Sequence, residues 1–387
     1  MSYRNRLKAL ALGTCLIGGT AFAGSSEAQN LRYALGFPPG SDAAKGAEIY
    51  ADKVNELTNG ELNVRVFPLS LLNFAETSGG VRDGIADIGY LLAPYFPSQY
   101  PHYNMIAEAS LVQTLLDADS ATATMAYVGA MTEYAFTRCP ECLEDFKQQN
   151  QIFTGSQASS PYILHCADEP VTSLADIRGK RLRVAGAHWS RWSQHVDASP
   201  VTLSANELYE SLSQGVVDCV VVSLPELTNL QFIDAVDHIT KMVPGGSFAG
   251  TAATNFNRDS WQSLPESHRE AALRAGAVST AYIPFTYVRR DAEVLELARE
   301  RGIEVHEPDA DLVEATETFV RQDIETTASR YADNHGVERS EEILAEFREL
   351  LDRWVDLVEG IDSYEALAEL YWEEAFSKVD VSSYGMD

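Results

Sequence analysis

Basic residues are scarce in this chain. Its 387 residues carry 29 Lys and Arg against 57 Asp and Glu, a formal charge of −28 at pH 7. Such an acidic surface repels phosphate backbones and anionic head groups, which argues against nucleic acid or a lipid surface as partner. The apolar run Ala9–Gly19 is too short to cross a bilayer. The common chemistry-bearing motifs are also missing: no GxGxxG or GxxxxGK[ST] phosphate cradle, no GxSxG nucleophile elbow, no HExxH metal pair. The eight histidines are scattered. His188 and His195 stand seven apart, a helical spacing, but no acid or cysteine is placed to complete a metal site. No metal or other cofactor is expected, and no catalytic residue can be named.

What is present begins with a leader. Arg4, Arg6 and Lys8 precede the apolar run, and "AFA" stands before Gly24, so residues 1–23 read as a secretory signal and the protein as periplasmic. Its removal takes the charge from −28 to −31. Cys15 lies inside the apolar run and follows Thr14, where a lipoprotein leader needs a small residue. The remaining cysteines are Cys139, Cys142, Cys166 and Cys219. In an oxidising compartment the C-P-E-C pair, Cys139 and Cys142, reads as a local disulfide rather than a redox centre. Cys166 and Cys219 are either buried thiols or a second bridge.

Periodicity gives two βα regions. "LRYALGF" (Leu31–Phe37) reads as a strand, Ser41 caps a helix with Ala47, Tyr50, Val54 and Leu57 on one face, and "ELNVRVF" returns as a parallel strand. Later, "GKRLRVAG" reads as a strand, "HWSRWSQHV" as a helix, and "SANELYESLSQG" as a helix with a Ser204–Glu207 capping box. "VVDCVVVSL" is an apolar strand. From about Asp259 the pattern is mostly helical and includes a long stretch with Pro284 inside it.

The second region, "ADIRGKRLRVAG…ASPVTLSANELYESLSQGVVD", resembles the hallmark segment of the solute-binding proteins of TRAP (tripartite ATP-independent periplasmic) transporters, the DctP family. The matching residues are Asp176, Gly179, Arg183, Glu207, Tyr209, Leu212, Gly215, Val217 and Asp218. "LGFPPGSDAAKGAEIYADKVNELTNGELNVRVFP", "VRDGIADIGY" and "NRDSWQSLPESHREAAL" match further family segments in order.

The resemblance implies an α/β, two-lobed periplasmic binding protein fold (type II-like), with a long helix spanning both lobes and a helical C-terminal tail. Lobe I is expected over residues 31–160 plus 249–285. Lobe II is expected over 161–248 plus 286–387, C-terminal helices included. The resemblance also implies a small-molecule carboxylate held by Arg183 in the cleft, small and large permease subunits as partners, and no enzymatic activity. A secreted enzyme or a ligand sensor using the same cleft is the alternative. An arginine at the end of a strand before a helix N-terminus suits bidentate carboxylate binding.

The chain departs from the family in two places. Ile163 stands where relatives often carry a second arginine, and "VDCVVVSLP" replaces V-D-G-Q-E-N-P, with Cys219 for the glycine and Ser223 near the asparagine position. Tyr162, Ser223 and Asn255 are therefore candidates for the missing polar contacts, and Phe37, Glu76 and Tyr95 for the cleft walls. Trp189 and Trp192, three apart, share a helix face. They either pack against the sheet or bring Trp189 to the ligand, whose remainder beyond the carboxylate would then be apolar, aromatic or cationic.

Overall fold

The computed structural model describes residues 28–387, so the leader and Cys15 lie outside it. The strands fall into two sheets. Strand β1 (Gln29–Leu35) lies between β2 (Leu62–Pro68) and β3 (Ile88–Leu92), parallel to both, and β11 (Thr251–Asn257) adds antiparallel to β3 and pairs with the short β4 (Gln151–Ile152) and β5 (Ser156–Gln157). The second sheet runs β12-β10-β6-β9-β7-β8, with β6 (Pro161–Cys166), β7 (Arg181–Val184), β8 (Ser199–Thr202), β9 (Cys219–Ser223), β10 (His238–Ser247) and β12 (Glu304–His306). The β7 strand is parallel to β8 and β9, which puts the carboxyl ends of β7 and β9 on one edge.

Local chemistry explains the first βα unit. The Ser41 hydroxyl accepts from the Ala44 N–H at 3.2 Å and caps helix Asp42–Leu57, whose Ala47, Tyr50 and Val54 are buried. The Ser204–Glu207 capping box forms, on a single short turn preceding helix Leu208–Ser213.

Three stretches join the lobes. Residues 157–161 and 247–251 pass side by side between the sheets: the Ser159 N–H donates to Phe248 O at 3.2 Å, and the Phe248 N–H donates to Ser159 Oγ at 3.0 Å. The third is helix Glu266–Glu300, which packs on Asp42–Leu57 and leads into β12 at the edge of the second sheet. It continues through Pro284. No helix among the described residues is long and apolar enough to cross a membrane.

The C-terminal helices depart from expectation. Helix Ser340–Val358 packs on Ser120–Thr137, and Tyr364–Glu374 packs on the long helix, so both lie on the first sheet's side rather than in the second lobe. Gly129 makes this possible, because a Cβ there would overlap the Trp354 ring. The Glu133 carboxylate accepts from Trp354 Nε1 at 2.7 Å. Of the C-terminal helices, Ala310–His335 reaches the second lobe, packing on helix Ala187–His195 and on β10.

Cys139 is bonded to Cys142, and Cys166 to Cys219. The C-P-E-C segment opens helix Pro140–Gln148 with Cys139 as cap, but it follows a helix rather than a strand. Cys166 and Cys219 are direct partners on β6 and β9.

Candidate ligand-binding site

A cavity lies between the lobes, at the carboxyl ends of β1, β3, β7 and β9. This is where open α/β sheets place ligands. Arg183 enters it from the second lobe. The residue is fully buried, and strand pairing with Val201 and Val220 fixes its backbone. Its Nε donates to Leu203 O at 3.0 Å and Nη2 to the Tyr95 hydroxyl at 3.0 Å. Nη1 is buried and has no hydrogen-bond partner among the described residues. The guanidinium is thus anchored through one edge and has donor capacity left for an anion.

Tyr95 comes from the first lobe, and its hydroxyl also accepts from the Ala205 N–H at 2.9 Å. Two further links cross the cleft nearby. Asn206 Nδ2 donates to Gly36 O at 2.8 Å, and the Asp42 N–H donates to Asn229 Oδ1 at 3.0 Å. The lobes are therefore closed on each other. Tyr95 and Ala185 line both the cavity and an outer groove that also includes Glu108 and Arg191.

The walls are mainly aromatic. Phe37, Phe74 and Tyr90 form edge-to-face pairs on one side, while Tyr162 and Phe248 lie on the other with their rings nearly parallel. One acid shares this space. Glu226 follows β9, opens a four-residue helix, and is 6% exposed. Its Oε2 is buried without a hydrogen-bond partner among the described residues. Burial pushes its pKa up to about 8, and neighbouring Tyr287 and the Arg183 charge offset only part of that. Among the described residues, Arg183 is the only basic one lining the cavity.

The Glu226 shift has a checkable consequence. The folded state favours the protonated carboxyl, so its stabilising contribution is present below pH 4.5 and is lost as pH rises through about 8. Chemical denaturation of the ligand-free protein should show stability falling across that window, less steeply in Glu226→Gln. Equal slopes would mean that the carboxyl is ordinarily ionised.

Of the residues singled out from sequence, Arg183, Tyr162, Phe37 and Tyr95 line the cavity. Trp189, Ser223, Glu76 and Asn255 do not. Trp189 is fully buried behind Tyr162, its ring stacked at 4.2 Å and its Nε1 donating to Gly245 O. Ser223 is the β9 partner of Tyr162 but does not reach the cavity. Glu76 is exposed, and its carboxylate accepts from the Asn73 N–H. Asn255 sits inside the first sheet, donating to Gln151 Oε1 at 2.6 Å. Ile163 lies beside Tyr162 on β6, also outside the lining.

Glu226, Tyr90, Phe248 and Tyr287 were missed from sequence. The one available signal was an acid directly after the apolar strand, in "SLPEL". A His238–Glu304–His306 cluster brings three metal-type ligands together, with His238 Nδ1 3.2 Å from His306 Nε2, but it lies at the β10–β12 edge, away from the cavity.

Residues 35–331 match the family model of DctP, described as bacterial extracellular solute-binding protein, family 7. The chain belongs to this family. Its members are solute-binding receptors rather than enzymes. Among curated relatives of this DctP-family chain, the sialic acid-binding periplasmic protein SiaP of Vibrio cholerae is 20% identical over 310 residues, covering 75% of this chain and 86% of SiaP. A marine metagenome TRAP solute-binding protein specific for aromatic acid ligands, solved with 3-hydroxybenzoate, superposes with a TM-score of 0.70 at 19% identity, covering 85% of this chain and 99% of that one. A TRAP periplasmic solute-binding protein from Bordetella bronchiseptica, solved with mandelate, gives a TM-score of 0.68 at 22% identity, covering 84% and 99%. At these identities the structures establish the shared two-lobed fold.

Proposed function

We propose that this chain is the extracytoplasmic receptor of a TRAP transporter, exported by its N-terminal leader to the periplasm. It captures a small organic acid between its lobes and delivers it to the small and large membrane subunits for ion-gradient-driven uptake. The observation that carries the reading is Arg183: a fully buried guanidinium at a strand end, anchored by Leu203 O and Tyr95, with Nη1 unpartnered among the described residues. A buried cation calls for an anion, and a planar fork suits a carboxylate. The aromatic walls suit an acid with an apolar or aromatic remainder, the kind named for the metagenome and Bordetella proteins. Lobe closure excludes water and strengthens the ion pair.

A thermal-shift screen of aromatic, hydroxy, sugar and amino acids tests this. A ligand at about 100 times its Kd should add about 2.7 kcal/mol of stability. The response should fall to about a third or less in Arg183→Ala at the same ligand concentration. Stabilisation undiminished in Arg183→Ala, or no response to any acid, would overturn the reading.

A further inference from the structure

The acid that shares the cavity with Arg183 narrows the ligand class. The cavity is lined by Arg183 and Glu226, one charge of each sign when both ionise. With a carboxylate on Arg183, the remainder of the ligand is what meets Glu226. A second carboxylate there would face a carboxyl group with no basic side chain to offset it, which disfavours dicarboxylates. An alkyl remainder would leave the buried Oε2 without a partner, which is unfavourable for a buried polar group. A cationic nitrogen meets both demands: it pairs with Glu226, and the faces of Tyr90, Phe74, Phe248 and Tyr287 attract it through their ring quadrupoles.

Resting on the reading of Arg183 as the carboxylate receptor, we infer that the ligand is a zwitterion. Arg183 holds its carboxylate, and Glu226 with the surrounding aromatic rings holds an ammonium or alkylated nitrogen. The groups facing Glu226 are Tyr287 from the long helix, Tyr90 from β3, Tyr162 from β6, Arg183 from β7, and Asp42 from helix Asp42–Leu57. Asp42 is itself paired with Arg290 at 3.2 Å through one carboxylate oxygen and does not line the cavity. In the ligand-free protein near neutral pH the Glu226 carboxyl keeps its proton. A cation beside it releases that proton to solvent, while an acid lacking the nitrogen leaves it in place.

Matched pairs of acids that differ at the nitrogen separate the possibilities: trimethylglycine against 3,3-dimethylbutanoate, proline against cyclopentanecarboxylate, and phenylglycine against phenylacetate. Titration calorimetry near pH 7, in buffers of different ionisation enthalpy, reads affinity and proton release together. The cationic member of at least one pair should bind about tenfold or more tightly than its partner and release close to one proton. Glu226→Gln should remove both the preference and the proton release. Affinity without preference for nitrogen, still lost in Arg183→Ala, would sink this inference and leave the carboxylate receptor standing. Preference that survives in Glu226→Gln would also sink it. No binding by any of the six would overturn it too, and if the wider acid screen were also silent the receptor reading would fall with it.

Discussion

Arg183→Ala should weaken binding of the carboxylate ligand by about 30-fold to several thousand-fold, the equivalent of 2–5 kcal/mol for one partner of a desolvated charge pair. The size of the effect follows from where the side chain sits. It is fully buried, so the ligand's carboxylate would be left in a closed, mainly aromatic cavity with no counter-charge. Arg183→Lys should recover little of the loss. An ammonium is a point charge and cannot hold Leu203 O and the Tyr95 hydroxyl while also serving an anion in the same plane. Tyr95→Phe should have a smaller effect, because it removes one acceptor from the fork but keeps the ring in the wall. Calorimetry on folded variants checks the order, and near wild-type affinity in Arg183→Ala would refute the assignment.

Trp189→Ala should chiefly cost stability, about 3–5 kcal/mol, in the range for removing a fully buried Trp. The ring lies 4.2 Å from Tyr162 in a stacked arrangement and 6.2 Å from Phe248, and its N–H donates to Gly245 O at 3.2 Å. Deleting it opens a cavity and strands a carbonyl. Any change in affinity follows indirectly, because Tyr162 loses its backing. Trp192→Ala should cost a similar amount, since Trp192 is equally buried and donates to Thr316 Oγ1 at 3.0 Å. Urea denaturation of both variants is the test. A Trp189→Ala protein of near wild-type stability with selectively lost affinity would restore the direct ligand contact.

The two tryptophans illustrate how much of the site could be read in advance. Their i, i+3 spacing correctly put them on one helix face, and burial of that face followed from their apolar bulk. Periodicity says which face is covered but not what covers it. Here β6 and the 247–251 crossing stand between Trp189 and the cavity. Glu226 was not singled out at all. Nothing within a few residues of it says that it is buried: Tyr287 comes against it from 61 positions further along the chain, and Asp42, Tyr90, Tyr162 and Arg183 from four other elements.

By itself the sequence determined the class of molecule and pointed to four of the residues that line its cavity, Arg183, Tyr162, Phe37 and Tyr95. Ser41 and the Ala47, Tyr50 and Val54 stripe define the first helix, and the Ser204–Glu207 box the turn before a later one, because caps and periodicity are short-range. Arg183 was singled out through the family resemblance, and strand, basic residue and helix start are contiguous around it. Tertiary structure alone decided the rest. It placed helix Ser340–Val358 on the first lobe, where Gly129 leaves room for Trp354. It joined Cys166 to Cys219 as register partners 53 residues apart. It also brought Glu226 into the same cavity as Arg183. Contacts between distant segments depend on how whole elements pack, and the volume left between them is no property of any one stretch of chain.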